Sequence, residues 1–271
     1  METRQRVGFM NTEHWTSYTG KRVVVTGCHS GIGHATAQRL IESGAIVYGF
    51  DWKPCDLALT AFTHVDLRDA ASIDAALASC AVPIDALFNC AGIPPGRAPI
   101  EVVKVNFLGT RQLTERLLPL MHSGSAIVNV ASVAGLGWQG QIEALHQFAR
   151  TESFDTGIVW CENHLGMLAD GYSFSKQAVV LWTMLESASL MLRGIRMNCT
   201  LPGAVQTPML TEIEKVTPTD VIDQITHPVG RRSSADEQAN ALLFLNSDLA
   251  SYINGAALSV DGGYAASVLV K

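Results

Sequence analysis

The chain has 271 residues, of which 48% are hydrophobic, enough to bury one large core within a single α/β domain. A formal net charge of −6 argues against nucleic acid or an anionic membrane as a partner. No apolar run reaches the ~20 residues that a membrane-spanning helix needs.

The N-terminal segment is polar and has no apolar signal core, so we expect residues 1–20 to form a loose extension ahead of a domain at 21–271. Six scattered cysteines without a C-x-x-C pair indicate reduced thiols in a cytoplasmic protein. The histidines show no ligand spacing, and we predict no metal site.

A short β-branched run over residues 21–26 predicts a buried strand, followed by Gly27, Gly31 and Gly33 and a helix over residues 34–43. This order favours binding of a dinucleotide pyrophosphate, because glycines let phosphates approach the backbone and a helix N-terminus offers free N–H groups. The spacing is G-x-x-x-G-x-G, and since glycine turns after strands are common, a purely structural turn stays open.

A second strand is predicted over residues 45–50 and ends at Asp51, 18 residues beyond Gly33 (51 − 33). A carboxylate ~20 residues past the glycine turn is typical of one that binds the adenosine ribose. Asp51 would accept hydrogen bonds from the 2′-OH and repel a 2′-phosphate. With Ser30 instead of a basic residue in the loop, this favours NAD over NADP, and a simple turn residue is the alternative.

Strands predicted over residues 62–65, 84–88 and 125–131 alternate with helices over 69–80 and 100–122. The strands are followed by Asp66, Asn89 and Ser132, which implies a parallel doubly wound sheet with ligands at the carboxyl ends of its strands. Asn106 lies inside the second helix, although asparagine is a mediocre helix former. A solvent-facing position is the alternative to a functional one.

Residues 136–169 carry no strand pattern, and helices are expected over 139–150 and 156–165. A long helix over 173–192 then places Tyr172 and Lys176 on one face, one turn apart. An ammonium about 4 Å from a phenol supplies roughly the 4 kcal/mol that a pKa shift of about three units requires. Tyr172 is therefore a candidate acid–base, although such pairs are more often surface neighbours.

The remaining predicted elements are a strand over 194–199, a helix over 236–245 and a last strand over 256–260. Between them, residues 209–227 mix apolar and charged side chains and suit a mobile lid. No internal repeat and no domain boundary are visible.

Seven short stretches in order resemble the short-chain dehydrogenase/reductase family over residues 21–264. They are Thr26-Gly27-x-x-x-Gly31-Ile32-Gly33, Asn89-x-Ala91-Gly92, Asn106, Ser132, Tyr172-x-x-x-Lys176, Pro202-Gly203 and Asp261-Gly262-Gly263. The resemblance implies a Rossmann-like single domain that uses NAD(P), with Tyr172 as the acid–base and Ser132 holding the substrate oxygen. Lys176 would lower the pKa of the tyrosine and bind the cofactor ribose, and Asn106 would hold a water that links Lys176 to solvent.

The resemblance also implies which residues contact the cofactor, from the glycine loop through the adenosine pocket to the nicotinamide side. They are Gly27, Ser30, Gly31, Ile32, Gly33, Asp51, Asp66, Leu67, Asn89, Ala91, Gly92, Tyr172, Lys176, Pro202, Gly203, Val205 and Thr207.

Two features depart from most of the family. The segment between Gly92 and Asn106 is short, and Ser132 and Tyr172 lie 40 residues apart (172 − 132). We therefore expect a helical insertion at about 136–169. Both features are similar to a subgroup that contains bacterial coniferyl-alcohol dehydrogenase and 3α-hydroxysteroid dehydrogenase/carbonyl reductase. In that subgroup the insertion covers the helix face that others use for tetramers, so we expect a homodimer.

The favoured interpretation is an NAD-dependent oxidoreductase that moves hydride between a hydrophobic (aromatic, allylic or alicyclic) alcohol and its aldehyde or ketone. Trp138, Met167 and Met209 are candidates for the substrate pocket, and packing within the chain or at a dimer interface is the alternative for each. A 3α-hydroxysteroid dehydrogenase/carbonyl reductase is the second interpretation. A non-catalytic dinucleotide-sensing protein is the third, weakened because all four catalytic positions are filled.

Overall fold

The protein is described from a computed structural model that covers residues 18–78 and 82–270. Its centre is a sheet of seven parallel strands in the order β3-β2-β1-β4-β5-β6-β7. The strands are β1 (Arg22–Thr26), β2 (Ile46–Asp51), β3 (Ala61–His64), β4 (Ile84–Asn89), β5 (Met121–Val130), β6 (Arg196–Pro202) and β7 (Ala257–Val260). This confirms the predicted Rossmann-like doubly wound fold, whose strand order reverses between β1 and β4 and so opens a crevice there.

Helices connect the strands on both faces of the sheet. They are α1 (Gly31–Glu42), α2 (Ala70–Ala78), α3 (Pro99–Val103), α4 (Thr110–Leu117), α5 (Ile142–Ala149), α6 (Phe154–Asn163), α7 (Leu165–Leu168), α8 (Tyr172–Met191), α9 (Pro208–Ile213), α10 (Thr219–Gln224), α11 (Ala235–Asn246) and α12 (Tyr264–Leu269). The prediction for residues 69–80 runs past α2 into residues 79–81, which lie outside the described residues. No described helix is long and apolar enough to cross a membrane.

Two hydrophobic clusters cover the two faces of the sheet. Alternate residues of β1 divide between them, Val24 in one cluster and Val23 and Val25 in the other, as the pleat of a strand requires. On the Val24 side, the Phe107 and Phe148 rings lie 4.9 Å apart between their centroids. The sheet is thus buried on both faces, which explains why its strands read as continuous apolar runs.

The start of the domain lies earlier than predicted. Tyr18, placed in the loose extension by the sequence, is fully buried, and its hydroxyl donates a 2.7 Å hydrogen bond to the Leu243 carbonyl. A tyrosine that satisfies its hydroxyl inside a core is part of that core. The domain therefore includes residues 18–20, and residues 1–17 lie outside the described part of the chain.

The prediction of one helix over residues 100–122 is wrong. The chain forms α3, a π-helical turn over Lys104–Gly109, α4 and a 3-10 turn over Leu118–Leu120, and β5 begins at Met121. Pro119 lacks the N–H needed to continue an α-helix, which explains the end of α4. The π turn carries Asn106, and such turns inside helices are frequent at functional sites.

Residues 136–169, between β5 and α8 in sequence, form a 3-10 turn and helices α5, α6 and α7. Helices α5 and α7 pack on α8, and α6 packs on the π turn and α3. The buried Arg111 of α4 ties this segment to the domain by donating hydrogen bonds of 3.1 Å to the carbonyl oxygens of Ala149 and Ser153. Ser153 also caps α6, because its hydroxyl accepts from the Thr156 N–H at 3.2 Å. This cap explains why α6 begins two residues before its predicted start at 156.

Candidate active site

The glycine loop between β1 and α1 brings two backbones into direct contact. Gly27 has a φ of +73°, and a side chain there would lie 2.8 Å from the Ala91 backbone. A side chain at Gly33 would collide with the Gly27 carbonyl oxygen. Ser30 precedes α1 without a side-chain hydrogen bond to the helix, so the first N–H groups of α1 keep no side-chain cap. These features fit a pyrophosphate, which needs close backbone approach and free N–H donors.

Asp51 closes one end of the cleft that runs along the carboxyl ends of the strands. Its two carboxylate oxygens accept hydrogen bonds from the backbone N–H of His29, at 3.0 Å, and of Lys53, at 2.9 Å. The carboxylate is thereby fixed at the end of β2 and keeps lone pairs for a further donor. A ribose hydroxyl is a donor of the right kind, so the residues at this end fit the adenosine half of a nicotinamide dinucleotide.

Tyr172, Ser132 and Lys176 lie together at the other end of the cleft. Tyr172 begins α8 because Gly171 has a φ of +77° and the Asp170 carboxylate accepts from the Tyr172 N–H at 2.9 Å. Ser132 follows β5. The predicted grouping of these three residues is therefore present in the structure.

The protonation of Tyr172 is governed by burial. Burial raises the pKa of the Tyr172 phenol above its ordinary value, a hydrogen bond with Ser132 lowers it, and the Asp170 carboxylate adds to the increase. Ser132 is therefore the group that favours the phenolate in this structure.

Lys176 is almost completely buried, at 3% exposure, and donates a 2.8 Å hydrogen bond to the Val130 carbonyl oxygen. Its Nζ lies 5.7 Å from the centre of the Tyr172 ring. Burial lowers the pKa of the Lys176 ammonium to about 8, against a weaker opposing influence of Cys90 and Cys199. Lys176 is thus still mostly protonated at pH 7.

Asn106 does not line the cleft but sits directly behind it. Its Oδ1 accepts from the Ile93 N–H at 2.8 Å, and its Nδ2 donates to the Ile93 carbonyl at 3.1 Å and to the Ser175 hydroxyl at 3.2 Å. A Cβ placed on Gly92 would lie 3.2 Å from Asn106 Oδ1 and 3.6 Å from Lys176 Nζ. Glycine at this position leaves a small space between the two polar groups.

Three other predicted site residues are placed differently from their predictions. Asn89 is buried in a network that it forms with Thr114, at 2.9 Å, and Asn129, at 2.8 Å, away from the cleft wall. Trp138 packs partly buried against the core, and Met167 is exposed on α7. Neither Trp138 nor Met167 borders the cleft, whereas Met209 does, and the assignment of the three to the substrate pocket stays a prediction.

The other predicted cofactor residues, apart from Gly33, border the cleft. They are Gly27, Ser30, Gly31, Ile32, Asp51, Asp66, Leu67, Ala91, Gly92, Tyr172, Lys176, Pro202, Gly203, Val205 and Thr207. Gly33 contributes through the close packing described above.

Sequence reasoning gave no role to several further residues of the cleft wall. Ile93 and Arg97 lie in the loop after β4, and Ile213 lies at the end of α9. The signal for the first two was present, because loops at the carboxyl ends of parallel strands border the ligand crevice. Thr26 was quoted only as part of a motif. Its hydroxyl accepts from the N–H groups of Cys90 and Ala91, both at 3.1 Å, and so fixes the loop beside the glycine turn.

Comparison with known proteins matches two family models to this chain, "short chain dehydrogenase" over residues 21–143 and "Enoyl-(Acyl carrier protein) reductase" over residues 162–265. Residues 144–161, between them, fall within the expected insertion. That the segment is an insertion relative to the family stays a prediction.

Similar proteins include the coniferyl-alcohol dehydrogenase of Pseudomonas sp. strain HR199, 35% identical over 92% of this chain and 98% of that protein. The 3-alpha-hydroxysteroid dehydrogenase/carbonyl reductase of Comamonas testosteroni is 32% identical over 89% of this chain and 95% of that protein. Among solved structures, the 3-alpha-hydroxysteroid dehydrogenase from Pseudomonas sp. B-0831 complexed with NADH superimposes with a TM-score of 0.79. The two sequences are 30% identical, and the superposition covers 93% of this chain and 99% of the Pseudomonas chain.

These similarities confirm the resemblance, including the subgroup, and extend over nearly the whole described chain. The chain belongs to the short-chain dehydrogenase/reductase family, and as a member of it is an oxidoreductase that acts on CH–OH groups with a nicotinamide dinucleotide.

Proposed function

We propose that the protein is an NAD-dependent dehydrogenase of a hydrophobic alcohol, aromatic, allylic or alicyclic, with Tyr172 as its acid–base. The observation that carries this proposal is one continuous cleft with Asp51 at one end and Tyr172, Ser132 and Lys176 at the other. The wall beside the catalytic end includes Ile93, Met209, Leu210 and Ile213, which suit an apolar substrate.

The choice of NAD rests on Asp51. Its carboxylate is held in place by two backbone N–H groups, so it cannot swing away from a 2′-phosphate. Arg68 also borders this end, but its guanidinium forms hydrogen bonds to both oxygens of Asp66, the shortest at 2.6 Å. When bound, the nicotinamide supplies the hydride acceptor for alcohol oxidation or the hydride donor for carbonyl reduction.

Tyr172 and Ser132 handle the substrate oxygen. In oxidation the Tyr172 phenolate takes the proton of the substrate hydroxyl as hydride leaves the carbinol carbon, and in reduction the phenol returns it. Ser132 lowers the pKa of Tyr172 and is the group we assign to hold the same substrate oxygen. Because burial raises the pKa of Tyr172, the phenol form dominates near neutrality in the protein alone. Oxidation therefore benefits from alkaline conditions.

Proton exchange with solvent runs through the space beside Gly92. Asn106 Oδ1 and Lys176 Nζ both face the same side of Gly92, 3.2 Å and 3.6 Å from the position that a Cβ on this residue would take. The Asn106 side chain is held by Ile93 and Ser175, so it presents Oδ1 to this space in a fixed orientation. This supports the relay predicted for Asn106.

A homodimer is the assembly we propose. The segment 136–169 packs on α8, where Phe148 lies 5.3 Å from Phe174 between ring centroids. This face of α8 is covered by the chain itself and is not free for a partner. Light scattering of the purified protein should give twice the chain mass, and a tetramer would contradict the proposal.

A second candidate function is a 3α-hydroxysteroid dehydrogenase/carbonyl reductase. It is favoured by the similarity to the Comamonas protein of that name and to the 3-alpha-hydroxysteroid dehydrogenase from Pseudomonas. Steady-state rates on coniferyl alcohol and on a 3α-hydroxysteroid, each with NAD and with NADP, separate the two candidates. Inactivity on both alcohols would refute the proposed substrate class.

The test of the mechanism is Tyr172→Phe, compared with Tyr252→Phe, which alters a fully exposed tyrosine. We expect Tyr172→Phe to abolish turnover while NADH still binds, as followed by fluorescence titration, and Tyr252→Phe to behave like the native protein. Unchanged turnover in Tyr172→Phe would remove this residue from the mechanism.

A further inference from the structure

Arg97 borders the cleft from the loop that follows β4. Its neighbour Gly96 faces the segment after α9, since a Cβ on Gly96 would lie 3.5 Å from Val216. Pro99, two residues after Arg97, packs its carbonyl so tightly against Gly171 that a side chain at Gly171 would collide with it. The backbone on either side of Arg97 therefore lies beside the segment after α9 and beside the residue that precedes Tyr172, which places Arg97 toward the catalytic end of the cleft.

The guanidinium of Arg97 is exposed and has no hydrogen bond or ion pair within residues 18–78 and 82–270. The acidic side chains that border the cleft hold other donors: Asp51, Asp66 and Glu101. Asp66 pairs with Arg68 at 2.6 Å, and Glu101 pairs with Lys104 at 2.7 Å. Arg97 thus presents an unneutralised positive charge.

The other cations of the cleft are committed elsewhere. Lys176 donates to the Val130 carbonyl, and Lys53 lies over the Trp52 ring at the Asp51 end, 5.0 Å from its centroid. The catalytic end therefore has three zones: Tyr172 and Ser132 inside, apolar side chains along the wall, and a free guanidinium at the mouth.

We propose that Arg97 determines specificity by binding a carboxylate at the far end of the substrate from its hydroxyl. The substrate class is then an aromatic or alicyclic alcohol that carries a carboxylate across the ring from the carbinol. A guanidinium forms charge-assisted, bidentate hydrogen bonds with a carboxylate, which makes it selective for this group over a neutral one. This inference rests on the proposed dehydrogenase function and names the substrate of the same site.

The net charge of the whole chain opposes the binding of an anionic substrate. The protein has a formal net charge of −6, so an anionic substrate is repelled by the surface as a whole. A local positive charge at the mouth offsets this repulsion where it matters for entry. The rate of capture of an anionic alcohol therefore depends on ionic strength, whereas that of a neutral alcohol does not.

The test compares 4-(hydroxymethyl)benzoate with its neutral isostere 4-(hydroxymethyl)benzamide, both with NAD. In Arg97→Met we expect kcat/KM for the benzoate to fall roughly tenfold, mainly through KM, because one charge-assisted interaction is lost at a partly exposed site. The benzamide should be unaffected. Arg97→Lys should keep part of the benzoate activity, and Arg150→Met, which removes an exposed arginine outside the cleft, should keep all of it.

Two results would overturn the proposal while leaving the dehydrogenase function intact. One is an equal loss for both alcohols in Arg97→Met together with weaker NADH binding, which would assign Arg97 to the cofactor phosphates. The other is a salt dependence of kcat/KM for the benzoate that is the same in the native protein and in Arg97→Met, because loss of a positive charge that attracts the carboxylate must change that dependence. Absence of turnover with every ring alcohol, neutral or anionic, would refute the proposed function and this inference with it.

Discussion

Lys176→Met is expected to show that burial of the charged Lys176 ammonium lowers the stability of the folded protein. Burial lowers the pKa of Lys176 from 10.5 to about 8, so the unfolded chain binds its proton more tightly than the folded one. A difference of about 2.5 pKa units corresponds to about 3 kcal/mol in the free energy of unfolding. The folded state is less stable by this amount below pH 8, where Lys176 is protonated in both states, and recovers it above pH 10.5, where Lys176 is neutral in both. Native stability should therefore rise with pH across this window, relative to a variant without the ammonium.

The clean quantity is the difference in unfolding free energy between Lys176→Met and the native protein. Lost bonding to the Val130 carbonyl shifts this difference by about 1–3 kcal/mol, but by the same amount at every pH. Between pH 7 and pH 10 the unfolding free energy of Lys176→Met should fall by about 2.5 kcal/mol relative to that of the native protein. The neighbouring thiols of Cys90 and Cys199 do not interfere, because burial raises the pKa of each to about 12.

Urea unfolding of the protein without cofactor, followed by tryptophan fluorescence with a reductant present, measures this difference at each pH. Lys215→Met is the control, because that side chain is 62% exposed and its contribution should not vary with pH in the same way. A difference that stays constant from pH 7 to pH 10 would refute the reasoning. We expect turnover to be lost in Lys176→Met, which would make Lys176 a case of stability given up for function.

Three further variants test the cofactor end, the relay and the 136–169 segment. Asp51→Ala should raise the ratio of kcat/KM with NADP to that with NAD by about tenfold or more, because the carboxylate next to the ribose is gone; an unchanged ratio, or a native preference for NADP, would contradict this. Gly92→Ala fills the space beside Lys176 and should lower kcat about tenfold without lowering Tm. The control Gly140→Ala has no atom within 4 Å of its new Cβ and should change neither quantity. A native kcat in Gly92→Ala would exclude the water relay. Arg111→Met should lower the unfolding free energy by roughly 2 kcal/mol or more, whereas the control Arg116→Met, on the surface, should lower it by less than about 1 kcal/mol. Equal losses in urea titrations would mean that Arg111 does not anchor the 136–169 segment.

The sheet could be predicted because a buried parallel strand is a local signal. Runs such as Val23–Val25 are apolar on both faces, and their ends are marked by residues that the crevice needs, including Asp51. The order of the strands across the sheet leaves no such signal in the sequence. Only the resemblance to a family with a Rossmann-like fold implies that order.

The errors have identifiable physical causes. Apolar periodicity over residues 100–122 could not show a π turn, and Pro119 was a visible stop for α4 that the prediction passed over. The prediction for Trp138 and Met167 rested on residue type, which does not tell which side of a helical segment faces the cleft. Tyr18 had no neighbouring apolar pattern, since its partners are Phe88 on β4 and Leu243 on α11, both distant in sequence.

Asn106 shows how a residue that looked out of place in a helix is used. The π turn directs its side chain inward, where one amide bonds both backbone groups of Ile93 and the hydroxyl of Ser175. Ile93 begins the loop that carries Arg97, and Ser175 lies in the first turn of α8, beside Lys176. A single buried side chain thus couples the loop at the cleft mouth to the helix of the acid–base. Because buried hydrogen bonds of this kind are expensive to break, Ile93 and the first turn of α8 keep a fixed separation.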